Sequence, residues 1–352
     1  MAKQPTLHDV ARSSGVSIAT VSRVLANSGY PVSEDSRRRV LKAARALRYT
    51  PNAIGKNLKK QDSREIGVLL PNLTNPYYAQ LLQAIHDTAD RFAYSIVLCS
   101  AGRDARKEMQ ELEMLISKRV SGLLLASINP DMTAAMRAID MGYPLVTIEQ
   151  STSLACMHVG FDFRRAGAML VEHLASCGHT RIGFLGAPLD RPSRVQMLQG
   201  FRDGMQQAGL DLQEEAILLS ESESEGAEVY EIENGRRCAA RLLRLSSRPT
   251  ACVCLNDMTA FGAMGFLQQE GLHIPGDISL VGCDNVPYSV LSSPPLTTID
   301  QHAYQMGTLA VERLIGCIAK SDLSPCSVML TPELIVRGSS CRPKESPCIS
   351  VH

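Results

Sequence analysis

Beyond residue 65 the chain alternates short apolar runs with amphipathic stretches of helical period. The apolar runs predict buried strands over 66–70, 95–99, 122–126, 145–148, 182–185, 251–255 and 279–283. The stretches between them predict helices near 77–91, 105–118, 131–141, 164–177, 194–208, 235–245 and 257–270. This rhythm is typical of parallel sheets covered by helices on both faces. One open sheet of that many strands would be large, so we expect two similar α/β lobes that meet near 160–165.

The first fifty residues have a different, all-helical pattern. The tetrapeptide from Thr6 to Asp9 has capping-box spacing and predicts a first helix that ends at Gly15. Ser17 caps a second helix after a short turn, and this arrangement is a helix-turn-helix. Residues 33–36 (Ser-Glu-Asp-Ser) begin a third helix, with their acids at its positive end.

A net charge of zero conceals a strong asymmetry. Residues 1–60 contain twelve Lys or Arg and three acids, whereas the other 292 residues contain 24 bases and 33 acids. A basic head on an acidic body indicates that the head binds a polyanion. A solvated basic tail is the alternative, but a tail would lack the apolar residues at helical spacing.

The second helix carries the residue types that read base edges. Its exposed face holds Ala19, Ser22, Arg23 and Ala26, and Ile18 flanks its first turn. Arg23 is long enough for a bidentate contact with guanine, and Ile18 and Ala19 suit thymine methyl groups. A phosphate contact is the alternative role for Arg23.

A short basic segment follows the head. Pro51 suits a first helical position, but the segment is short for an autonomous helix and Gly55 weakens it further, so we expect order only when something packs on it. Leu58 stands among Lys56, Lys59 and Lys60, which suits a wedge in a minor groove flanked by phosphate contacts. A flexible basic linker is the alternative.

The loops after the predicted strands contain polar groups suited to a small ligand. Ligands of parallel sheets bind beyond the carboxyl ends of the strands. The side chains in these loops are aromatic, acidic or basic: Tyr77, Tyr78, Glu149, Asp257, Asp284, Arg191 and Arg194. They predict a site for a small polar ligand. Helix capping is the alternative, most clearly at Asn256 and Asp257.

The sequence gives no sign of catalysis or of a bound cofactor. Motifs for phosphate loops, dinucleotide binding, serine hydrolases and zinc proteases are absent, and so is any CxxC pair. We therefore expect no enzyme, no metal site and no cofactor. The eleven cysteines predict reduced, mostly buried thiols. With no apolar run of membrane-spanning length and no secretory signal pattern, we expect a cytoplasmic, nucleoid-associated protein without a membrane partner.

These residues resemble the lactose-repressor/galactose-repressor (LacI/GalR) family of bacterial transcriptional regulators. The segments TLHDVARSSGVSIATVSRVLAN and RYTPNAIGKNLKK match its DNA-binding head and hinge. The body matches in IGVLLPNLTNPYYAQLLQAI, GHTRIGFLGAP and RPTACVCLNDMTAFGAMGFLQQEGLHIPGDISLVGCDN. The resemblance covers about residues 5–340. It implies an all-α helix-turn-helix head and an α/β core of periplasmic-binding-protein type with two parallel-sheet lobes.

The resemblance also implies domain boundaries. We expect a head over 1–50, a hinge helix or linker over 51–62, a core over 63–340 and a loose tail over 341–352. Within the core, the first lobe would comprise 63–161 and 298–321, and the second 162–297 and 326–340. The family further implies a homodimer on a pseudo-palindromic DNA operator.

The resemblance assigns residues to two sites. The DNA-binding set is Thr6, Ser17, Ile18, Ala19, Thr20, Ser22, Arg23, Asn27, Tyr49, Asn52, Ala53 and Leu58. The effector-binding set is Asn75, Tyr77, Tyr78, Ser127, Glu149, Phe161, Arg191, Ser193, Met197, Asn256, Asp257 and Asp284. Met197 departs from the family, because many sugar-binding members carry an arginine there. A sugar, a sugar acid or a sugar phosphate is expected as the ligand. If Arg191 or Arg194 substitutes for the missing arginine, the anionic members of this set are favoured.

The function implied is that of a ligand-responsive repressor of a carbohydrate or related catabolic operon. A solute receptor of a transport system would share the body but would not explain the head. A regulator controlled by a protein co-regulator would keep the head and replace the small ligand. An α/β enzyme with a DNA-binding appendage would need a nucleophile, metal cluster or phosphate loop.

Overall fold

The computed structural model describes residues 5–26, 30–49, 63–102, 104–129, 131–150, 153–220, 230–320 and 323–344. The chain divides into two compact units, Met1–Ser63 and Arg64–His352. The first is the head and the second is the core, and each is described by itself.

The head contains the predicted helix-turn-helix. Its helices are α1 (Leu7–Ser14), α2 (Ile18–Ala26) and α3 (Glu34–Ala46). Thr6 and Asp9 form the reciprocal capping box, and Gly15 ends α1 in the left-handed conformation with φ of 65°. The Ser17 hydroxyl accepts from the Thr20 N–H at 3.1 Å. The helices share a small apolar core of Val10, Ala11, Val21, Val24, Val40, Ala43 and Ala44.

The core alternates strands and helices as the sequence predicts. The helices are α4 (Pro76–Arg91), α5 (Ala105–Ser117), α6 (Thr133–Asp140), α7 (Phe163–Ser176), α8 (Pro192–Gln207), α9 (Tyr230–Leu242), α10 (Asp257–Gln269) and α11 (Ala303–Lys320). The first strands are β1 (Glu65–Leu70), β2 (Ser95–Ser100), β3 (Gly122–Leu125), β4 (Leu145–Glu149), β5 (Met157–Phe161) and β6 (Ile182–Gly186). The later strands are β7 (Ile217–Leu219), β8 (Ala251–Cys254), β9 (Ser279–Asp284), β10 (Thr297–Asp300), β11 (Cys326–Leu330) and β12 (Glu333–Ile335).

Within the described ranges these strands form two six-stranded sheets, one in each lobe. The first has the order β11-β5-β4-β3-β1-β2 and the second the order β12-β10-β9-β8-β6-β7. Pairing is parallel except between β10 and β12. The carboxyl ends of the central strands β4, β6, β8 and β9 are followed directly by the loops that the sequence predicts as ligand-binding.

The chain passes between the lobes differently from the sequence prediction. β10 pairs with β9 in the second sheet, so 298–300 do not belong to the first lobe as predicted. β11 pairs with β5 in the first sheet, so the assignment of 326–330 to the second lobe is wrong. α11 does pack on the first lobe, against α4. β11 is an edge strand and most of its residues are exposed although four of the five are apolar, so its composition does not identify its sheet.

Part of the predicted loose tail is tied to the second lobe. The buried imidazole of His179 hydrogen-bonds the Cys341 carbonyl at 2.9 Å, and the Cys341 N–H donates to the Ser279 hydroxyl at 3.1 Å. Lys344 pairs with Asp277 at 2.6 Å. The tail prediction is therefore wrong for 341–344, since local composition does not reveal these partners.

The cysteines agree with the expectation of mostly buried thiols. Among the described residues, the cysteines are free thiols and most are buried. A search of the same residues finds no helix that is both long and apolar enough to cross a membrane.

Candidate functional site

The second helix of the head presents the predicted base-reading face. Ser17, Ala19, Ser22 and Arg23 are exposed, while Val21 and Val24 on the opposite side are buried. Ile18 is 40% exposed, which is unusual for a β-branched apolar residue at the start of a helix that packs in a core. This helix therefore has a small, partly apolar surface beside a guanidinium group. Such a surface fits the major groove of DNA.

The remaining head residues of the predicted DNA-binding set divide into two groups. Thr6 and Thr20 have local hydrogen bonds, to Asp9 at 2.7 Å and to Ser17 at 2.9 Å. Tyr49 is partly buried against the head core. Four predicted residues lie outside the described residues: Asn27, Asn52, Ala53 and Leu58.

Two cavities lie between the lobes of the core, and the same two segments contribute to both. We call the smaller, about 70 Å³, the inner cavity, and the larger, about 540 Å³, the outer cavity. Residues 147–150 of the first lobe and 187–196 of the second supply walls of each. A ligand in either cavity therefore contacts both lobes.

The inner cavity gathers most of the predicted effector residues. Those that line it are Asn75, Tyr77, Tyr78, Glu149, Ser193, Asn256 and Asp284. Ser127 and Arg191 line the outer cavity. The loops that the sequence places beyond the carboxyl ends of the strands therefore come together at these two cavities.

Two carboxylates dominate the inner cavity. The Tyr78 hydroxyl donates to Glu149 Oε2 at 3.0 Å. The side-chain amide of Asn75 donates to Asp284 Oδ2 at 3.5 Å, and that of Gln301 donates to Asp284 Oδ1 at 2.5 Å. Because Asn75 belongs to the first lobe and Asp284 to the second, the Asn75–Asp284 hydrogen bond connects the two lobes.

Both carboxylates occupy positions that disfavour ionisation. Burial raises the pKa of Glu149 to about 7, against the lowering effects of the Tyr78 hydrogen bond and of Arg191. Burial also raises the pKa of Asp284, and the charges of Asp257 and Glu149 raise it further. Each residue has a left-handed backbone, with φ of 73° at Glu149 and 135° at Asp284. Strained backbone at non-glycine residues is concentrated at binding sites, because the surrounding structure must maintain it.

Three predicted effector residues do not line either cavity. Asp257 is fully buried, and its carboxylate accepts from the Val286 N–H and from the hydroxyls of Ser289 and Thr298. Phe161 packs edge-on against Phe163 within the core, and Met197 is 1% exposed. The direction of these side chains depends on partners that are distant in sequence, so loop position alone does not specify it.

Sequence analysis missed several lining residues of the inner cavity. They are Phe163, Tyr230, Glu231, Asn234, Thr259 and Gln301. Gln301 follows β10, a buried strand that the apolar-run search omitted, so the strand-end rule would have found it. The residues of α9 and α10 among them carry no local signal, because the approach of these two helices brings them to the cleft.

The two arginines at the cleft share one acidic partner. Arg194 donates to Asp190 at 2.8 Å and to the Pro188 carbonyl at 3.0 Å. Arg191 Nε lies 3.7 Å from the same Asp190 carboxylate. Across the outer cavity, the buried Glu108 accepts from the Ser127 hydroxyl and from the Ile128 N–H, which fixes the loop that carries Ser127. A search for groups of His, Cys, Asp and Glu that could hold a metal finds none among the described residues.

Comparison with known proteins agrees with both units. A model of the bacterial regulatory proteins of the lacI family matches residues 6–52, and a model of the periplasmic binding protein-like domain matches 171–340. The HTH-type transcriptional repressor PurR of Mannheimia succiniciproducens is 34% identical over 337 residues, which cover 95% of this chain and 98% of that protein. The ribose operon repressor of Haemophilus influenzae is 32% identical over 335 residues, with the same coverage.

A solved structure extends this similarity to the whole fold. The lac repressor dimer bound to operator and the anti-inducer ONPF superimposes with a TM-score of 0.82 at 28% identity, covering 96% of this chain and 100% of that one. Head and core therefore both match regulators along nearly their full length. The chain belongs to the lacI family of bacterial transcriptional regulators, with a helix-turn-helix DNA-binding head and a periplasmic-binding-protein-like core.

Proposed function

We propose that this protein is a homodimeric repressor that binds a pseudo-palindromic operator and is controlled by a small polar effector in the interlobe cleft. The observation that carries the proposal is the pair of cavities walled by both lobes. A ligand that contacts both lobes has different affinities for open and closed arrangements, so its binding shifts the equilibrium between them. The family match supports the coupling of this change to DNA binding.

The effector is a hydroxyl-rich molecule of the carbohydrate class. Carboxylate and amide oxygens line the inner cavity, and these groups accept hydrogen bonds from hydroxyls. The operon would then serve carbohydrate or related catabolism. A relative named as a ribose operon repressor and a solved family member with bound ribose support this class.

The structure argues against the anionic ligand considered from the sequence. Arg194, one of the two candidate cations, has its guanidinium paired with Asp190 and the Pro188 carbonyl. Glu149 and Asp284 meanwhile face the inner cavity with acidic groups. A sugar acid or sugar phosphate in the inner cavity would raise the pKa of both carboxyl groups further and would bind only with both of them protonated, whereas a neutral hydroxyl has no such requirement.

An apolar strip on the second lobe supports the homodimer. Tyr288, Val290 and Leu291 are 55%, 58% and 77% exposed, in a segment between β9 and β10. Exposed aromatic and aliphatic side chains in such a cluster are typical of protein interfaces. The inverted orientation of the two half-sites in the operator would then follow from the two-fold symmetry of the dimer.

The test begins with selection of bound duplexes from a random DNA library, because the operator is not specified by the residues. We expect a pseudo-palindromic sequence, bound by the full-length protein with an affinity that falls steeply with salt as counterions are released. Fluorescence anisotropy with that duplex then measures the effect of candidate sugars. Recovery of no preferred sequence, or a flat dependence on salt, would refute the DNA-binding function. Operator binding that no small molecule alters would instead favour control by a protein co-regulator.

A further inference from the structure

We propose that the effector carries a protonated amine, held between Glu149 and Asp284 in the inner cavity, and that it is therefore an amino sugar or a closely related hydroxylated amine. This inference rests on the proposed small-molecule control and specifies the chemistry of that same site.

The charges at the cleft have an acidic excess. Arg191 and Arg194 are the basic groups that line the two cavities among the described residues, and Asp190 approaches both guanidinium groups within 4 Å. The acidic groups that line the cavities are Glu149, Asp190, Glu231 and Asp284. A cationic ligand would restore the balance.

The hydrogen-bonding groups give a second, independent indication. Gln301 is 4% exposed and its Nε2 donates to Asp284, yet its Oε1 has no partner. The hydroxyl oxygen of Thr259, which is fully buried, also has none. Both residues line the inner cavity. A buried acceptor without a partner costs about 1–3 kcal/mol, so its occurrence beside a cavity indicates a ligand that donates hydrogen bonds.

Several donors of the same cavity are already engaged. Asn75 and Gln301 donate to Asp284, and Tyr78 donates to Glu149. Asn234 donates to the Gly186 carbonyl at 2.9 Å. A ligand with three N–H donors and no acceptor, such as an ammonium group, matches acceptors that remain available. A carboxylate or phosphate would compete with Asp284 and Glu149 for the donors that these contacts use.

The sizes of the two cavities indicate which part of the ligand each one holds. The inner cavity has room for a small head group, and the outer cavity of about 540 Å³, which draws walls from the same two segments, accommodates a sugar ring. Ser127, Asn129 and Gln150 line the outer cavity and can meet ring hydroxyls, and Gln150 Oε1 is another buried acceptor without a partner. A hydroxylated amine thus uses both cavities.

The test is isothermal titration of the full-length protein with matched sugars. Each of three hexose skeletons (gluco, galacto and manno) is supplied as the 2-amino sugar, its N-acetyl derivative, the parent sugar and the uronic acid. We expect one amino sugar to bind at least tenfold more tightly than its three matched derivatives. N-acetylation retains the nitrogen and removes its charge, so this comparison isolates the cation.

Variants connect the preference to the two carboxylates. Asp284→Asn and Glu149→Gln should each weaken binding of the amino sugar at least tenfold. Asp203→Asn is the control, because Asp203 pairs with Arg164 on the surface and should bind as the wild type does. Tightest binding by a parent sugar or a uronic acid would overturn the amine inference and leave small-molecule control standing. Binding of no compound by a protein that still recognises its operator would contradict the carbohydrate-class effector itself.

Discussion

The contact between α9 and α10 gives a stringent test of the packing of the second lobe. Each helix contributes a glycine where the backbones meet. A Cβ added at Gly262 would lie 1.9 Å from the Ile232 carbonyl oxygen, and one added at Gly235 would lie 2.0 Å from the Thr259 carbonyl oxygen. Gly265 is on the same helix as Gly262, but a Cβ there meets nothing within 4 Å. Gly262→Ala and Gly265→Ala are therefore a matched pair.

The two substitutions should change stability in opposite directions. Alanine is favoured over glycine in a helix interior by about 1 kcal/mol, so Gly265→Ala should stabilise the second lobe by up to that amount. Gly262→Ala has the same gain in helix propensity. Its added methyl group would, however, meet the backbone of Ile232, which has no alternative rotamer, and such overpacking costs roughly 1–3 kcal/mol or more. Because the propensity gain is common to both variants, we expect the pair to differ by the overpacking cost of about 1–3 kcal/mol or more, equivalent to roughly 2–12 °C in melting temperature for a core of this size.

Thermal unfolding followed by circular dichroism measures this difference in the absence of ligand. The head is unchanged in both variants, so operator affinity at low temperature serves as the control for correct folding of that unit. A Gly262→Ala protein that melts at or above the temperature of Gly265→Ala would refute the close helix crossing.

Three further predictions concern the head, the cleft and the dimer. Arg23→Ala should lower affinity for the selected operator by roughly 10–100-fold while leaving affinity for scrambled DNA nearly unchanged, as expected for a base contact; equal losses on both duplexes would assign Arg23 to a phosphate. Burial raises the pKa of Glu149 from 4.5 to about 7, so between these pH values the folded state binds more protons than the unfolded state. The free energy of unfolding therefore falls as the pH rises from 4.5 to about 7. The melting temperature of Glu149→Gln relative to wild type should therefore increase between pH 5 and pH 8, and a constant difference would contradict the raised pKa. Leu291→Asp should yield monomers in sedimentation experiments, whereas Met141→Asp, also at an exposed apolar residue, should remain dimeric; dimers from both would place the interface elsewhere.

Local sequence signals predicted most of the fold. The capping box at Thr6 and Asp9 and the cap at Ser17 determine where the first two helices begin, because they satisfy backbone N–H groups within one turn. The seven predicted core helices agree with the structure to within about five residues at each end. Periodicity and capping are local properties, so a short segment of sequence is enough to predict these features.

The strands that were missed depend on distant partners. β7 and β12 have three residues each, too few for a periodic signal. β10 and β11 lie in opposite sheets although 25 residues separate their ends, and the helix between them packs on the first lobe. Each of these strands pairs with a neighbour that offers unpaired backbone groups. For β11 that neighbour is β5, which lies more than a hundred residues earlier in the chain.

The contrast between Asp257 and Asp284 shows what limits prediction of the site. By sequence both aspartates follow buried apolar strands, and both were assigned to the effector. In the structure Asp257 accepts from Val286, Ser289 and Thr298 and has no exposed surface, so its carboxylate stabilises the second lobe. Asp284 lines the cavity instead, beside an amide oxygen without a partner. The charge of Asp257 raises the pKa of Asp284, so the structural carboxylate also increases the advantage of a cationic ligand at its neighbour. Hydrogen-bond satisfaction, which only the folded chain defines, therefore separates the two roles.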